Sequence, residues 1–244
     1  MPRFHVSTPL TAGARMALPP GAARHVQVLR LQPGGAITLF DGLGGEWAAQ
    51  ITRMGRSEVE VEVGEHDPSE REAPRTVRLA TGMMATDRMD WLVEKATELG
   101  AAALQPLLAE RSSVRLDGER AARKQAHWQA VAVAASEQSG RNRLMQVQAQ
   151  QALKAYLQAP AEDGGARWVL SLAPSAPPIG HALEGLTPAQ AVTLLSGPEG
   201  GLSAAEEAAA VAAGFLRVGL GARVLRAETA PLAALAALTL NTHR

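Results

Sequence analysis

Apolar and polar positions along the chain follow two different rhythms. In the first part the period is two. Glu58-Val59-Glu60-Val61-Glu62-Val63 alternates strictly, which sends three valines to a core and three glutamates to water. Ala36 to Phe40 is a short β-prone run that ends at Asp41-Gly42, with Gly44-Gly45 close behind, and Glu46 to Ile51 resumes it, so the pattern predicts a hairpin. Short strands separated by glycine turns predict a small β-barrel. The polar, proline-bounded stretch from Asp67-Pro68 to Ala73-Pro74 reads as a linker, which makes 1–74 a front domain and 75–244 a second one.

Beyond Pro74 strand-like and helix-like segments alternate, as in an α/β domain with a parallel sheet. Val77 to Ala80 reads as a strand. A helix follows, with Asp87 as its expected cap, Met89, Leu92, Val93, Ala96 and Leu99 on one face, and Gly100 at its end. Leu104 to Leu108 is strand-like despite Pro106, and Glu119 to Gln138 is a long helix. Trp168 to Leu172 reads as a buried strand before a proline-rich loop, and Ala191 to Leu195 and Phe215 to Leu220 read as further strands. The run Ala230 to Leu240 is too short to span a membrane and reads as a packed helix.

Composition narrows the chemistry. Aromatic residues make up 3% of the 244 residues, so Leu, Val and Ala must fill the core. With no cysteine, this sequence has no disulfide, thiolate metal site or cysteine nucleophile, and no metal site is expected from it. The start, Met1-Pro2-Arg3-Phe4-His5, has no apolar segment behind it, which points to the cytoplasm and away from membranes. Net charge is zero but unevenly spread. Residues 1–40 carry Arg3, Arg15, Arg24 and Arg30 and no acid, and 111–143 carry seven basic residues against three acids. Such segments can form a local phosphate-binding surface, or be solvated faces that cancel.

Two junctions carry chemistry. In the first, Leu194-Leu195 runs into Ser196-Gly197-Pro198-Glu199-Gly200-Gly201, and then Ser203 and Glu206 form a capping box that starts a helix. Glycines at a strand's carboxyl end let backbone approach a ligand closely, or simply make a tight turn. The spacing is not the Gly-x-Gly-x-x-Gly of dinucleotide binders, nor is there a phosphate loop. The second junction, Val218-Gly219-Leu220-Gly221 through Val224-Leu225-Arg226-Ala227-Glu228, again leads from a strand into a helix. If their strands are adjacent, the two loops meet at one edge of a parallel sheet, where α/β proteins bind ligands. A third polar cluster, Glu137-Gln138-Ser139-Gly140-Arg141-Asn142-Arg143, ends the long helix.

These pieces, with Glu94-Lys95-Ala96-Thr97-Glu98-Leu99-Gly100 and Glu110-Arg111-Ser112, and with Pro2-Arg3-Phe4, His25-Val26 and Leu29-Arg30 at the front, resemble the bacterial small-subunit rRNA uridine-N3 methyltransferases (RsmE), a family of the SPOUT class. The resemblance spans the chain; Met145 departs from it where a proline is expected. It implies a parallel sheet flanked by helices and tied in a trefoil knot, behind a PUA-like RNA-binding barrel. It implies S-adenosylmethionine as cofactor, 16S rRNA as partner, and a homodimer whose sites are completed by the second copy. Carried over by motif, the expected cofactor residues are Leu172, Ser196, Gly197, Pro198, Glu199, Gly200, Gly201, Leu220, Gly221, Val224, Leu225 and Arg226. Arg141, Arg226 and Glu228 are the expected catalytic groups, and Arg3, His25, Arg30, Arg111 and Arg141 the expected RNA contacts. Three functions remain open on the residues alone: the uridine-N3 methyltransferase or one with another RNA target, a non-catalytic RNA-binding assembly protein, and a nucleotide-cofactor oxidoreductase, against which the missing dinucleotide fingerprint speaks.

Overall fold

The computed structural model describes residues 1–160, 164–187 and 189–240. The chain forms two compact units, one of Met1–Glu72 with Val133–Leu144 and one of Ala73–Ala132 with the residues from Met145 onward.

The first unit opens with β1 (Arg3–His5), β2 (Arg15–Ala17) and α1 (Pro20–Val28), followed by β3 (Ala36–Phe40), β4 (Glu46–Met54) and β5 (Val59–Asp67). The strands form one sheet in the order β1-β3-β4-β5-β2. The expected hairpin is β3 and β4, antiparallel, with Ile37 opposite Ala49. The three valines of the alternating segment, Val59, Val61 and Val63, are buried with Phe4, Val26, Ile37, Leu39 and Ile51. Helix α1 is an element that the apolar pattern did not predict. Here Pro20 occupies the first helical turn, where its missing N–H costs nothing. The helix ends with Arg30 at φ 55, and Leu31 N–H donates back to the Val26 carbonyl. That left-handed stop usually falls to glycine.

The second unit runs β6 (Val77–Gly82), α2 (Thr86–Glu98), β7 (Ala103–Leu108), α3 (Gly118–Ser139), β8 (Gln146–Val147), β9 (Gln151–Ala152), α4 (Leu153–Gln158), β10 (Ala166–Leu170), α5 (Ile179–Glu184), β11 (Val192–Ser196), α6 (Ala204–Ala212), β12 (Leu216–Val218) and α7 (Thr229–Thr239). Helix α3 begins in this unit, and its end, from Val133, belongs to the first. The sheet order is β12-β10-β11-β6-β7-β8, with β9 also paired to β7, and every pairing is parallel.

Alternate residues of each strand feed two cores. Leu79, Leu194 and Trp168 point to one that includes Met89, Leu92 and Val93 of α2, Trp128 of α3 and Leu235 of α7. Ala80, Leu195 and Val169 point to the other, with Leu153 of α4, Ala210 of α6 and Phe215. Helices therefore cover both faces, as the unbroken apolar strands require. Asp87 is not the cap of α2. The cap is Ala85, and Asp87 lies in the first turn, where its charge suits the helix dipole. The far end is as expected: Gly100 adopts φ 88, and Ala101 N–H donates to the Ala96 carbonyl.

Candidate ligand cavity

The two glycine-rich junctions do not follow neighbouring strands. β10 pairs with β11 on one side and β12 on the other, so it lies between them. The condition of adjacent strands is therefore not met, and the segment Leu170-Ser171-Leu172, which carries the expected cofactor residue Leu172, follows the strand between them. All three segments leave the carboxyl ends of parallel strands and line one cavity of about 300 Å³. Its wall includes Leu172, Ser196, Gly197, Pro198, Glu199, Gly200, Gly201, Leu220, Gly221, Val224 and Leu225. Of the expected cofactor residues only Arg226 is not part of the wall.

Hydrogen bonds fix the first glycine loop. α6 starts with the expected capping box: Glu206 N–H donates to Ser203 Oγ at 3.3 Å, and Ser203 N–H to Glu206 Oε2 at 2.9 Å. The other oxygen of Glu206 accepts from Glu110 N–H at 2.7 Å, and Arg111 Nη1 donates to the Gly200 carbonyl at 3.0 Å. Glu199 accepts from Ala85 N–H at 2.8 Å and from the Ser113 hydroxyl at 3.2 Å. It thereby supplies the acceptor that the start of α2 lacks in its own sequence. Burial pushes the Glu199 carboxyl up, but these donors and Arg88 outweigh it and hold it below its ordinary range.

The glycines serve different ends. A Cβ on Gly197 would stand 2.6 Å from Leu202 N and 2.7 Å from Gly201 C, so the turn admits no side chain there. Gly82 at the end of β6 is equally closed, with Pro198 N at 2.4 Å from such a Cβ. At Gly200 the space belongs to Arg111, whose Cβ would lie 2.9 Å away, so the glycine makes room for a neighbour as much as for a ligand. Gly201 and Gly221 adopt φ 68 and φ 94, with nothing within 4 Å of the added carbon.

The remaining expected residues are placed as follows. Arg226 is exposed, between the wall residues Leu225 and Ala227, and its carbonyl accepts from Thr229 and Ala230 N–H. Glu228 at the cap of α7 is 8% exposed and does not pair with Arg226. The cation within reach is Arg88, 3.8 Å away. Arg141 belongs to the first unit. It is buried, and its guanidinium grips both oxygens of Glu72. Arg3 is committed too: it pairs with Glu46 and the Asn142 side chain and lies 5.0 Å from the Phe40 ring. His25 sits 3.7 Å from Glu137 and edge-on to Phe4. Arg111 lines the cavity. Arg30 is exposed, and so are Arg24 on α1 and Arg56, whose backbone is held to α1 by Gln27. The sequence reading did not single out Arg88, Ser171, Glu207 or Arg56. Ser171 Oγ donates to Glu207 Oε1 at 2.9 Å, and that oxygen also accepts from Arg217 Nε at 2.6 Å. Those contacts join residues far apart in sequence, and no local pattern announces them.

A cavity walled by loops at the carboxyl ends of parallel strands, with glycine turns that expose backbone, defines a nucleotide-type ligand site in an α/β protein. The chain belongs to the RNA methyltransferase family: residues 71–239 match the RNA methyltransferase domain, and residues 18–64 match the RNA methyltransferase PUA domain. It is 34% identical over 227 residues to ribosomal RNA small subunit methyltransferase E of Bacillus subtilis, covering 89% of this chain and 86% of that one. A ribosomal RNA small subunit methyltransferase E from Neisseria gonorrhoeae, solved bound to S-adenosyl methionine, is 39% identical and superposes with a TM-score of 0.90 over 98% of this chain and 96% of its own. A protein from Legionella pneumophila, solved in complex with the same cofactor, is 32% identical with a TM-score of 0.90 over 97% and 96% of the two chains.

Proposed function

We propose that the protein transfers a methyl group from S-adenosylmethionine to N3 of a uridine in 16S rRNA of the small ribosomal subunit. The observation that carries this reading is the backbone-walled cavity of the second unit, in a chain of the RNA methyltransferase family. The cavity fits the cofactor's chemistry. Leu172, Leu202, Leu220, Val224 and Leu225 offer apolar surface to a purine, while Glu199 and Glu207 stand in the wall to meet cationic groups. When bound, the cofactor supplies a methyl carbon already activated by a sulfonium.

The protein's tasks are then orientation and proton removal. Uracil N3 carries a weakly acidic proton, and negative charge spreads to the flanking carbonyl oxygens as it leaves. Arg226, exposed beside the cavity wall, suits the stabilisation of that charge or a grip on a flanking phosphate. Glu228 is enclosed, which suits a positioning role better than proton transfer. A chain without cysteine has no thiol to add to a uracil ring, as C5 methylation usually requires.

RNA is held, in this reading, by the front domain 1–74, where exposed Arg24, Arg30 and Arg56 flank or belong to α1. The second domain, 75–244, is a SPOUT-type fold with a C-terminal trefoil knot. The active form is a cytoplasmic homodimer, a reading supported by exposed Leu172, Leu216 and Val224 at the cavity and on the edge strand β12. Nucleoside mass spectrometry of 16S rRNA from cells with and without the gene tests the assignment. Loss of 3-methyluridine at one position is expected, and an unchanged nucleoside profile rejects it.

A further inference from the structure

Arg88, in the first turn of α2, has the least obvious place in the site. Its Nη1 stands 3.9 Å from Glu199 Oε1 and 3.8 Å from Glu228 Oε2. The two carboxylates belong to different segments. Glu199 is part of the glycine loop after β11, and Glu228 caps α7 after the β12 loop. Those loops wall the same cavity but follow strands separated by β10. One guanidinium therefore bridges the two sides.

The two acids depend on that cation unequally. Glu199 also accepts from Ala85 N–H and the Ser113 hydroxyl. Glu228 is more deeply enclosed: its side chain is 10% exposed, against 25% for Glu199, and its Oε2 accepts no hydrogen bond among the described residues. A buried carboxylate oxygen without a donor is costly unless a positive charge stands near it, and the cation beside Oε2 is Arg88.

We propose that Arg88 is a positioning residue of the cofactor cavity: it compensates the enclosed Glu228 while holding Glu199, and so fixes the start of α7 against the glycine loop. Arg88 acts through these two acids and does not touch the reacting atoms. The inference rests on the reading that the cavity takes S-adenosylmethionine, and the experiment separates the two.

The test is a double-mutant cycle on the full chain, using R88M, E228Q and the pair. Titration calorimetry with S-adenosylmethionine should show R88M binding about tenfold more weakly, a size usual for coupling between two segments. R88M/E228Q should regain most of that loss, because the neutral amide no longer needs a counter-charge. Ligand-free hydrogen exchange provides the second readout. R88M should raise exchange both around 198–203 and at the start of α7, and the double variant should lower it again. Wild-type affinity in R88M, or a double variant as weak as R88M, overturns the proposal. Should the wild-type protein fail to bind S-adenosylmethionine, the cofactor assignment falls, and the exchange data alone decide the role of Arg88. Should R88M not fold, folding of R88M/E228Q is the expected rescue, and equal failure of both overturns the proposal.

Discussion

Three glycines of one loop should respond differently to the same added methyl group. The Cβ of Gly197→Ala would stand 2.6 Å from Leu202 N, 2.7 Å from Gly201 C and 2.9 Å from Gly201 Cα, all backbone atoms that cannot rotate away. Ordinary contact begins at 3.4 Å, so the turn must open by about 0.8 Å, that is 3.4 less 2.6. Overpacking of this kind costs about 1–3 kcal/mol, and displacement of a binding loop by about 1 Å can cost roughly a hundredfold. Affinity for S-adenosylmethionine should therefore fall about 10- to 100-fold. Gly201→Ala meets nothing within 4 Å but must hold φ 68, which costs about 1 kcal/mol of stability and leaves the cavity its shape. Gly200→Ala meets Arg111 Cβ at 2.9 Å, an atom that moves only with its backbone, but its other neighbours lie at 3.3 Å and beyond, so it should fall between the two. Calorimetric affinity and melting temperature, measured together, give the ranking. If Gly197→Ala binds the cofactor like the wild type, or Gly201→Ala binds worse than Gly197→Ala, the backbone account of the cavity is wrong.

Arg30→Gly should raise the melting temperature, because it relieves a left-handed arginine worth about 1 kcal/mol, while RNA affinity falls and its log–log salt slope shrinks by about one; a variant with unchanged RNA binding would remove Arg30 from the RNA surface. Glu46, held at about 2 by hydrogen bonding to Arg71 and then to Arg3 against the pull of burial, should stabilise the first unit above its ordinary value of 4.5 and lose that contribution as pH falls toward 2. In melting curves, E46Q should be less stable than wild type at pH 6 and converge with it in acid; a gap that stays constant across that range refutes the pairing. Arg226→Ala should slow single-turnover methylation by about two orders of magnitude with cofactor affinity and melting temperature nearly unchanged, since the side chain is exposed. A fall in stability that matches the fall in rate would make Arg226 structural.

What could be read from the sequence is local. The Ser203–Glu206 capping box, the Gly100 stop and the Val59–Val61–Val63 face each follow from neighbours within a few residues, and each is present. The cavity wall was legible for the same reason, because a strand that runs into glycines must turn where it does. Strand order was not legible. Nothing in β11 or β12 reports that β10 slots between them, since parallel strands are joined through long connections whose course the strands do not encode. The membership of Val133–Leu144 in the first unit was equally hidden, because α3 runs through Val133 to Ser139 without a break in its pattern. α1 was obscured by Pro19-Pro20-Gly21, which reads as punctuation unless the proline is allowed its place at a helix start.

Charged residues show the limit most sharply. Basic residues looked alike in the sequence, yet the fold sorts them by their neighbours. Arg3 and Arg141 face carboxylates and are consumed by them. Arg24, Arg30 and Arg56 stay at the surface. Arg88 faces two carboxylates at once, in a helix whose sequence gives no sign of it. Arg226 and Glu228 are two residues apart and end in opposite environments, one in solvent and one enclosed, because the chain between them turns into α7. The two are divided: the arginine faces solvent, and the acid lies 3.8 Å from Arg88, which also stands 3.9 Å from Glu199 on the other glycine loop. The cavity's electrostatics thus depend on a helix, α2, that contributes no residue to its wall.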